Sequence, residues 1–176
     1  MTKSRNPILD GASAAEIDGR CRYSLFRGVS SAPFVLFIGL NPSTADAVKN
    51  DSTVRIAAAF TRAWQYSAFY IGNVSPIRAT KPRDMRALLP HTADELSRNR
   101  MVVHTLAERA AIVVACWGNI PQELTNEART VLYIANDAQM KLGNRVMRLG
   151  PATKSGHPHH PLRLSLKTKL EPHTVL

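Results

Sequence analysis

The sequence contains only two cysteines, Cys21 and Cys116, among its 176 residues. Two thiols cannot supply a four-cysteine zinc or iron–sulfur site, and they are too few for a disulfide framework. No apolar run approaches the ~18 residues that a membrane span requires, and the first residues lack the apolar core of a signal peptide. We therefore expect a cytoplasmic protein without membrane contact, in which Cys116 is a buried core thiol.

The common nucleotide-binding and hydrolase motifs are also missing. The sequence has no Gly-x-Gly-x-x-Gly, no Walker loop, no Gly-x-Ser-x-Gly and no Cys-x-x-Cys. Their absence removes the usual sequence evidence for a dinucleotide site, a triphosphate site, an elbow serine nucleophile or a thiol redox centre. We accordingly expect no metal or redox cofactor.

Acidic residues are absent from two long segments, residues 52–83 and 141–170, although both carry several Lys and Arg. The whole chain has a net charge of +10. Clustered positive charge is typical of proteins that bind nucleic acid or another polyanion, and a solvated basic surface is the alternative. The candidate DNA-binding residues are Arg78, Lys81, Arg83, Lys154, His157, His159 and Arg163.

Short apolar segments alternate with helical patterns along the chain. We predict buried strands at residues 33–39, 68–74, 111–118 and 145–150, and helices at 51–66, 82–89, 93–110 and 125–141. This alternation predicts a three-layer α/β/α domain with a four-stranded, mostly parallel sheet. Residues 1–20 are polar and predict a loose N-terminal arm or a short helix. A single α/β domain then spans residues 21–176, with an edge strand or lead-in at 23–29.

Polar clusters follow each predicted strand, at residues 39–46, 72–80, 117–119 and 150–161. Parallel α/β sheets bind ligands outside the carboxyl ends of their strands. The four clusters therefore predict one composite site on the same rim of the sheet.

The segment Gly39-Leu40-Asn41-Pro42-Ser43 is the most informative of these clusters. Glycine allows a close approach of the backbone to a ligand, proline stiffens the loop, and Asn41 presents an amide at a fixed point. A simple Asx-Pro turn after a core strand is the alternative.

Three segments resemble the motifs of the uracil-DNA glycosylase superfamily: Gly39-Leu40-Asn41-Pro42-Ser43, Ile71-Gly72-Asn73-Val74-Ser75-Pro76 and His160-Pro161-Leu162-Arg163-Leu164-Ser165. A longer resemblance covers residues 20–170. Arg22-Tyr23-Ser24-Leu25-Phe26-Arg27, the string from Phe37 to Asp46 and Gly156-His157-Pro158-His159-His160-Pro161-Leu162 are similar to an uncharacterised bacterial and phage domain family of unknown function.

The glycosylase resemblance implies that fold and an enzyme that flips a damaged or modified base out of DNA and hydrolyses its N-glycosidic bond. Asn41 would position the water, Asn73 would hydrogen-bond the base, and His160 would stabilise charge on the departing base or clamp a phosphate. Trp117 would stack on the base or only cover the edge of the core. Gly39, Leu40, Pro42 and Ser43 would complete the base-binding set.

This chain departs from the superfamily pattern because no aspartate stands beside Pro42. Asp46 could replace it as a general base, or it could be structural, and Asp51 reads more simply as the start of a helix. His157-Pro158 and His160-Pro161 compete for the histidine motif, and His157, His159 and His160 together leave a metal site as a further alternative.

We therefore expect a monofunctional DNA glycosylase that acts as a monomer on DNA containing a damaged or modified base. A non-catalytic reader of flipped bases and an enzyme of free nucleotides or nucleosides are the alternatives.

Overall fold

The computed structural model describes residues 11–174, apart from the side chains of Pro82, Arg83 and Met85. Seven strands form one mixed sheet in the order β1-β2-β4-β3-β5-β6-β7. The strands are β1 (Ala12–Asp18), β2 (Cys21–Gly28), β3 (Phe34–Gly39), β4 (Ala68–Asn73), β5 (Ile112–Ala115), β6 (Met147–Leu149) and β7 (Leu170–Pro172). The helices are α1 (Ser52–Ala63), α2 (Pro82–Ala87), α3 (Ala93–Ala107) and α4 (Thr125–Lys141), with 3₁₀ turns at Gln122–Leu124 and Pro161–Arg163.

The α/β class is confirmed, but the predicted four-stranded, mostly parallel sheet is wrong. The four predicted strands are the central β4-β3-β5-β6, which pair in parallel. Strands β1, β2 and β7 extend the sheet through antiparallel pairs. The strand predicted at 23–29 as an edge strand or lead-in is β2, which is an interior strand buried along almost its whole length. The two edge strands were not predicted, because β1 is mostly exposed and β7 has only three residues, so neither has a continuous apolar run.

Residues 12–18 differ from the predicted loose arm or short helix, because they form strand β1 along the whole of β2. Most of β1 is solvent-exposed, so its polar composition is that of a solvated edge strand. Residues 1–10 lie outside the described part of the chain.

Helices cover both faces of the sheet, so β3 is buried on both sides. Val35 and Phe37 pack with α1 in one core cluster. Leu36 and Ile38 pack with α3 and α4 in the other. This alternation gives three layers, as a continuous apolar strand requires.

Helix starts follow from local side-chain chemistry. The Asp51 carboxylate accepts a hydrogen bond from the Val54 amide at the start of α1, which confirms the predicted cap. At the start of α3, Thr92 and Glu95 form a reciprocal capping box. Every helix within residues 11–174 is too short or too polar to span a bilayer.

The strand order changes direction at β3, because β4 lies on one side of it and β5 on the other, and this switch point places the site. The connection from β3 to β4 runs through α1 on one face, whereas the helices after β4 and β5 lie on the other face. The loops after the neighbouring strands β3 and β5 therefore leave toward opposite faces. Such a divergence opens a crevice at the carboxyl ends of the strands.

Candidate functional site

A cavity of about 460 Å³ occupies this crevice, a volume within the range of small-molecule sites. The structure brings together seven of the residues singled out from the sequence at its wall: Gly39, Leu40, Asn41, Ser43, Asn73, Trp117 and His160. They come from all four strand-end segments. Pro42 is buried beside the cavity and does not line it.

Asn41 is held in one orientation by its own amide group. Its Nδ2 donates hydrogen bonds to the carbonyl oxygens of Ala79 at 2.9 Å and Pro42 at 3.1 Å. The Ala79 amide in turn donates to the Pro42 carbonyl, so the loops after β3 and β4 are joined. Both amide hydrogens are committed, which leaves Oδ1 as an acceptor in the cavity wall.

Asn73 ends β4 and pairs with Gly39 at the end of β3. Its side chain is 2% exposed, and its buried Nδ2 has no hydrogen-bond partner. A buried amide without a partner is costly. A donor of this kind in a cavity wall suits a ligand with an exposed carbonyl or ring nitrogen.

His160 reaches the cavity from the turn before Pro161–Arg163. Its Nδ1 accepts a hydrogen bond from the Leu162 amide at 3.3 Å. Burial, followed by the positive charge of Arg163, lowers the pKa of His160, and Asp51 opposes this shift. A neutral imidazole that accepts at Nδ1 carries its proton on Nε2 and is a hydrogen-bond donor there.

Gly118 lets the loop after β5 approach this turn. The residue has a φ of +73°, its amide donates to the Pro158 carbonyl at 3.0 Å, and a Cβ there would lie 3.4 Å from Cβ of His160. A positive φ favours glycine. This contact joins the His160 segment to the strand end.

Asp51 lines the cavity, although its sequence position favoured a helix-start role over a catalytic one. It is the only carboxylate among the described residues of the cavity wall. Asp46 lies instead in a neighbouring recess, where its Oδ1 accepts hydrogen bonds from the amides of Val48 and Lys49. These bonds lower the pKa of Asp46, which makes it a weaker base. Asp46 and Asp51 are only five residues apart, so the sequence could not show which of them lines the cavity.

Arg22 also lines the cavity and was missed. It is 3% exposed on β2 and donates from Nη1 to the Ala45 carbonyl at 2.7 Å. The signal that could have identified Arg22 is its place in a strand with Cys21, Tyr23 and Leu25, which are all buried. A strand rarely buries an arginine without a partner.

Trp117 and Cys116 form part of the apolar lining of the cavity. Trp117 is 2% exposed and packs edge-on against His173, with ring centroids 5.7 Å apart, so most of the indole belongs to the core. Burial raises the pKa of the Cys116 thiol to about 12. This thiol is therefore protonated at neutral pH and is a poor nucleophile.

The other candidate DNA-binding residues lie outside the cavity. Arg78 borders the neighbouring recess. Lys81, Lys154 and Arg163 are exposed, and His157 and His159 are partly buried. The side chain of Arg83 is outside the described part of the structure. Within residues 11–174, no three His, Cys, Asp or Glu side chains cluster closely enough to hold a metal ion.

The fold and the cavity together define an α/β protein with a cavity at the switch point of its sheet. The chain belongs to the family described as "Protein of unknown function (DUF1643)", whose model matches residues 22–162. The resemblance to an uncharacterised domain family is thereby confirmed, and the family description names no activity. No curated protein matches the chain.

Proposed function

We propose that this protein is a monofunctional DNA glycosylase that excises a damaged or modified base by hydrolysing its N-glycosidic bond. One observation carries the proposal. Asn41 offers an acceptor of fixed orientation and Asn73 offers an unpartnered donor, and both line the same cavity. Hydrolysis of a flipped nucleoside needs both groups, one for the water and one for the base.

The reaction would proceed through a sugar with oxocarbenium character and a base that leaves as an anion. The ionised Asp51 carboxylate stabilises the cationic sugar, and Asn41 Oδ1 accepts a hydrogen bond from the attacking water. As the water oxygen bonds to the anomeric carbon, the water transfers a proton to Asp51. Asn73 Nδ2 donates to the base edge. His160 Nε2–H donates to the departing base and stabilises its negative charge.

The proposal includes a fold of the uracil-DNA glycosylase type. Four parallel central strands between helices on both faces support it. DNA as the partner is supported by the net charge of +10 and by the exposed cations Lys81, Lys154 and Arg163. Binding to DNA would then weaken steeply with salt concentration.

Asp51 favours turnover over mere reading of the base. A non-catalytic reader of flipped bases is the alternative that the absence of an acid beside Pro42 favours. A carboxylate in the cavity wall restores the group that such a reader would lack.

The test is a panel of single-stranded and duplex DNAs, each with one modified or deaminated base, together with the matching free nucleosides and nucleotides. Released base is measured by mass spectrometry. We expect the wild-type protein to release one class of base from DNA, and Asn41→Ala and Asn73→Ala to lose this activity. Asn144→Ala, at an exposed asparagine outside the cavity, is the matched control and retains it.

Two outcomes contradict the proposal. Tight binding to one modified DNA without release, abolished by Asn73→Ala, would identify a reader. Turnover of free nucleosides or nucleotides with no action on DNA would identify an enzyme of the nucleotide pool.

A further inference from the structure

A second recess of about 440 Å³ adjoins the main cavity. The two share Ser43, Ala79 and Thr80 as lining residues. Arg22 lines the main cavity, and Arg78 lines the recess. Each of the two adjoining spaces thus has one arginine in its lining, and the charge of Arg78 acts on Arg22.

Arg22 is a buried cation whose hydrogen bonds are incomplete. Its Nη1 is bound to the Ala45 carbonyl, but its buried Nε has no partner. No carboxylate of the described residues comes within ion-pair distance of it, although the charges of Asp51 and, more weakly, Asp46 act on it. Burial first, then the charges of Arg78 and Arg27, lower the pKa of Arg22 to about 10. A buried guanidinium in this state is stabilised by an added anion.

Arg78 has the same deficit, because its Nε is also buried without a partner. Asp46 borders the same recess, but its Oδ1 is committed to the amides of Val48 and Lys49. Arg27 provides a contrast. Its guanidinium is bound to Asn50 and to backbone carbonyls, including those of Phe26 and Asp46. Arg27 is therefore a structural tie, whereas Arg22 and Arg78 keep donors free.

We infer that Arg22 and Arg78 form a phosphate-binding subsite beside the cavity, which holds a phosphoryl group attached to the bound nucleoside. Guanidinium groups match phosphate oxygens in geometry and charge, and two hydroxyl-bearing residues, Ser43 and Thr80, line both the cavity and the recess. The nucleoside in this statement rests on the proposed function. The phosphate comes either from the DNA backbone next to a flipped nucleotide or from the end of a free nucleotide.

The test is a calorimetric titration of inorganic phosphate at constant ionic strength into the wild-type protein and three variants that each remove one positive charge. The variants are Arg22→Gln, Arg78→Gln and Arg129→Gln, the last at an exposed position on α4 outside both cavities. We expect the first two to bind phosphate roughly 10-fold or more weakly, and Arg129→Gln to match the wild type. Equal binding by all four proteins, or none by the wild type, would overturn the subsite.

Circular dichroism checks that each variant is folded. If Arg22→Gln does not fold, phosphate binding by Arg78→Gln, at a partly exposed site, decides whether the subsite exists. Competition then separates the sources of the phosphate. Displacement by a short single-stranded DNA supports the backbone, and displacement by a nucleoside 5′-monophosphate alone supports a free nucleotide.

The base-release assay distinguishes this inference from the proposed function. Phosphate binding that depends on both arginines, without base release from DNA, keeps the subsite and rejects the glycosylase. If the wild-type protein binds no phosphate and Arg78→Gln releases base as fast as the wild type, the glycosylase proposal stands and the subsite is rejected.

Discussion

A Cβ atom on Gly39 would lie 2.9 Å from Oδ1 of Asn73. The two residues are register partners at the ends of β3 and β4, so the missing side chain of one makes room for the amide of the other. Gly39 has no positive φ. Its role in the site is therefore close approach and not an unusual backbone conformation.

Gly39→Ala should displace the Asn73 amide without unfolding the protein, since the atom it meets is the end of a side chain. We expect base release to fall on the order of 10- to 100-fold through misplacement of the base. Gly72→Ala is the matched control on β4, because its added Cβ meets Val103 only at an ordinary 3.4 Å. Single-turnover release by the two variants checks this, and equal losses in both would contradict it.

Asp51→Asn separates the charge of this residue from its capping role. Asparagine caps helices about as well as aspartate, so the free energy of unfolding should change by less than about 0.5 kcal/mol. Loss of a general base should lower single-turnover release roughly 100-fold or more. The control is Asp46→Asn, outside the cavity, which should leave release near the wild-type rate. A larger effect of Asp46→Asn would return the role of base to that residue.

Asn41→Asp should not improve the enzyme, although it would place a carboxylate in the first motif. The new group would face the carbonyls of Pro42 and Ala79, which now accept hydrogen bonds from Nδ2. We expect a loss of about 1–3 kcal/mol in the free energy of unfolding at pH 7, and a smaller loss at pH 4, where protonation restores one donor. Urea titration measures both, with Asn144→Asp as the exposed control. Unchanged stability at pH 7 would show that the two carbonyl contacts contribute little.

His173 should make the protein sensitive to acid. Burial, followed by the charges of Arg148 and His157, lowers its pKa to about 4, and neither ring nitrogen has a hydrogen-bond partner. The unfolded chain takes up this proton near pH 6.5, whereas the folded protein does so only near pH 4. Stability contributed by the neutral form is therefore complete above pH 6.5 and is lost as the pH falls, by roughly 3 kcal/mol at pH 4.

His173→Phe tests this acid dependence, because phenylalanine keeps the ring contact with Trp117 and cannot be protonated. Between pH 7 and 4, unfolding by urea should show a smaller loss of stability in His173→Phe than in the wild type. His104→Phe, at a partly exposed position on α3, is the control. Parallel pH curves for the wild type and His173→Phe would show that His173 is not the source.

The central strands β3, β4 and β5 could be predicted from the sequence because they are buried along most of their length. Residues 34–39 form a continuous apolar run, and residues 68–72 form a second one that ends at Asn73. The edge strands were harder, since β1 meets solvent along most of its length and its pairing with β2 depends on the fold. No local pattern distinguishes such a strand from a polar arm.

The same division applies to the site. The sequence by itself determined that Gly39, Asn41, Asn73 and His160 follow strands or close a loop, and that polar groups gather at one rim. Only the tertiary structure decided that Asp51 and not Asp46 lines the cavity, and that Arg22, far away on β2, reaches it. The reason is physical. Periodicity reports which face of its own element a residue occupies, whereas a neighbour across the sheet is set by strand order and by the direction in which each loop leaves.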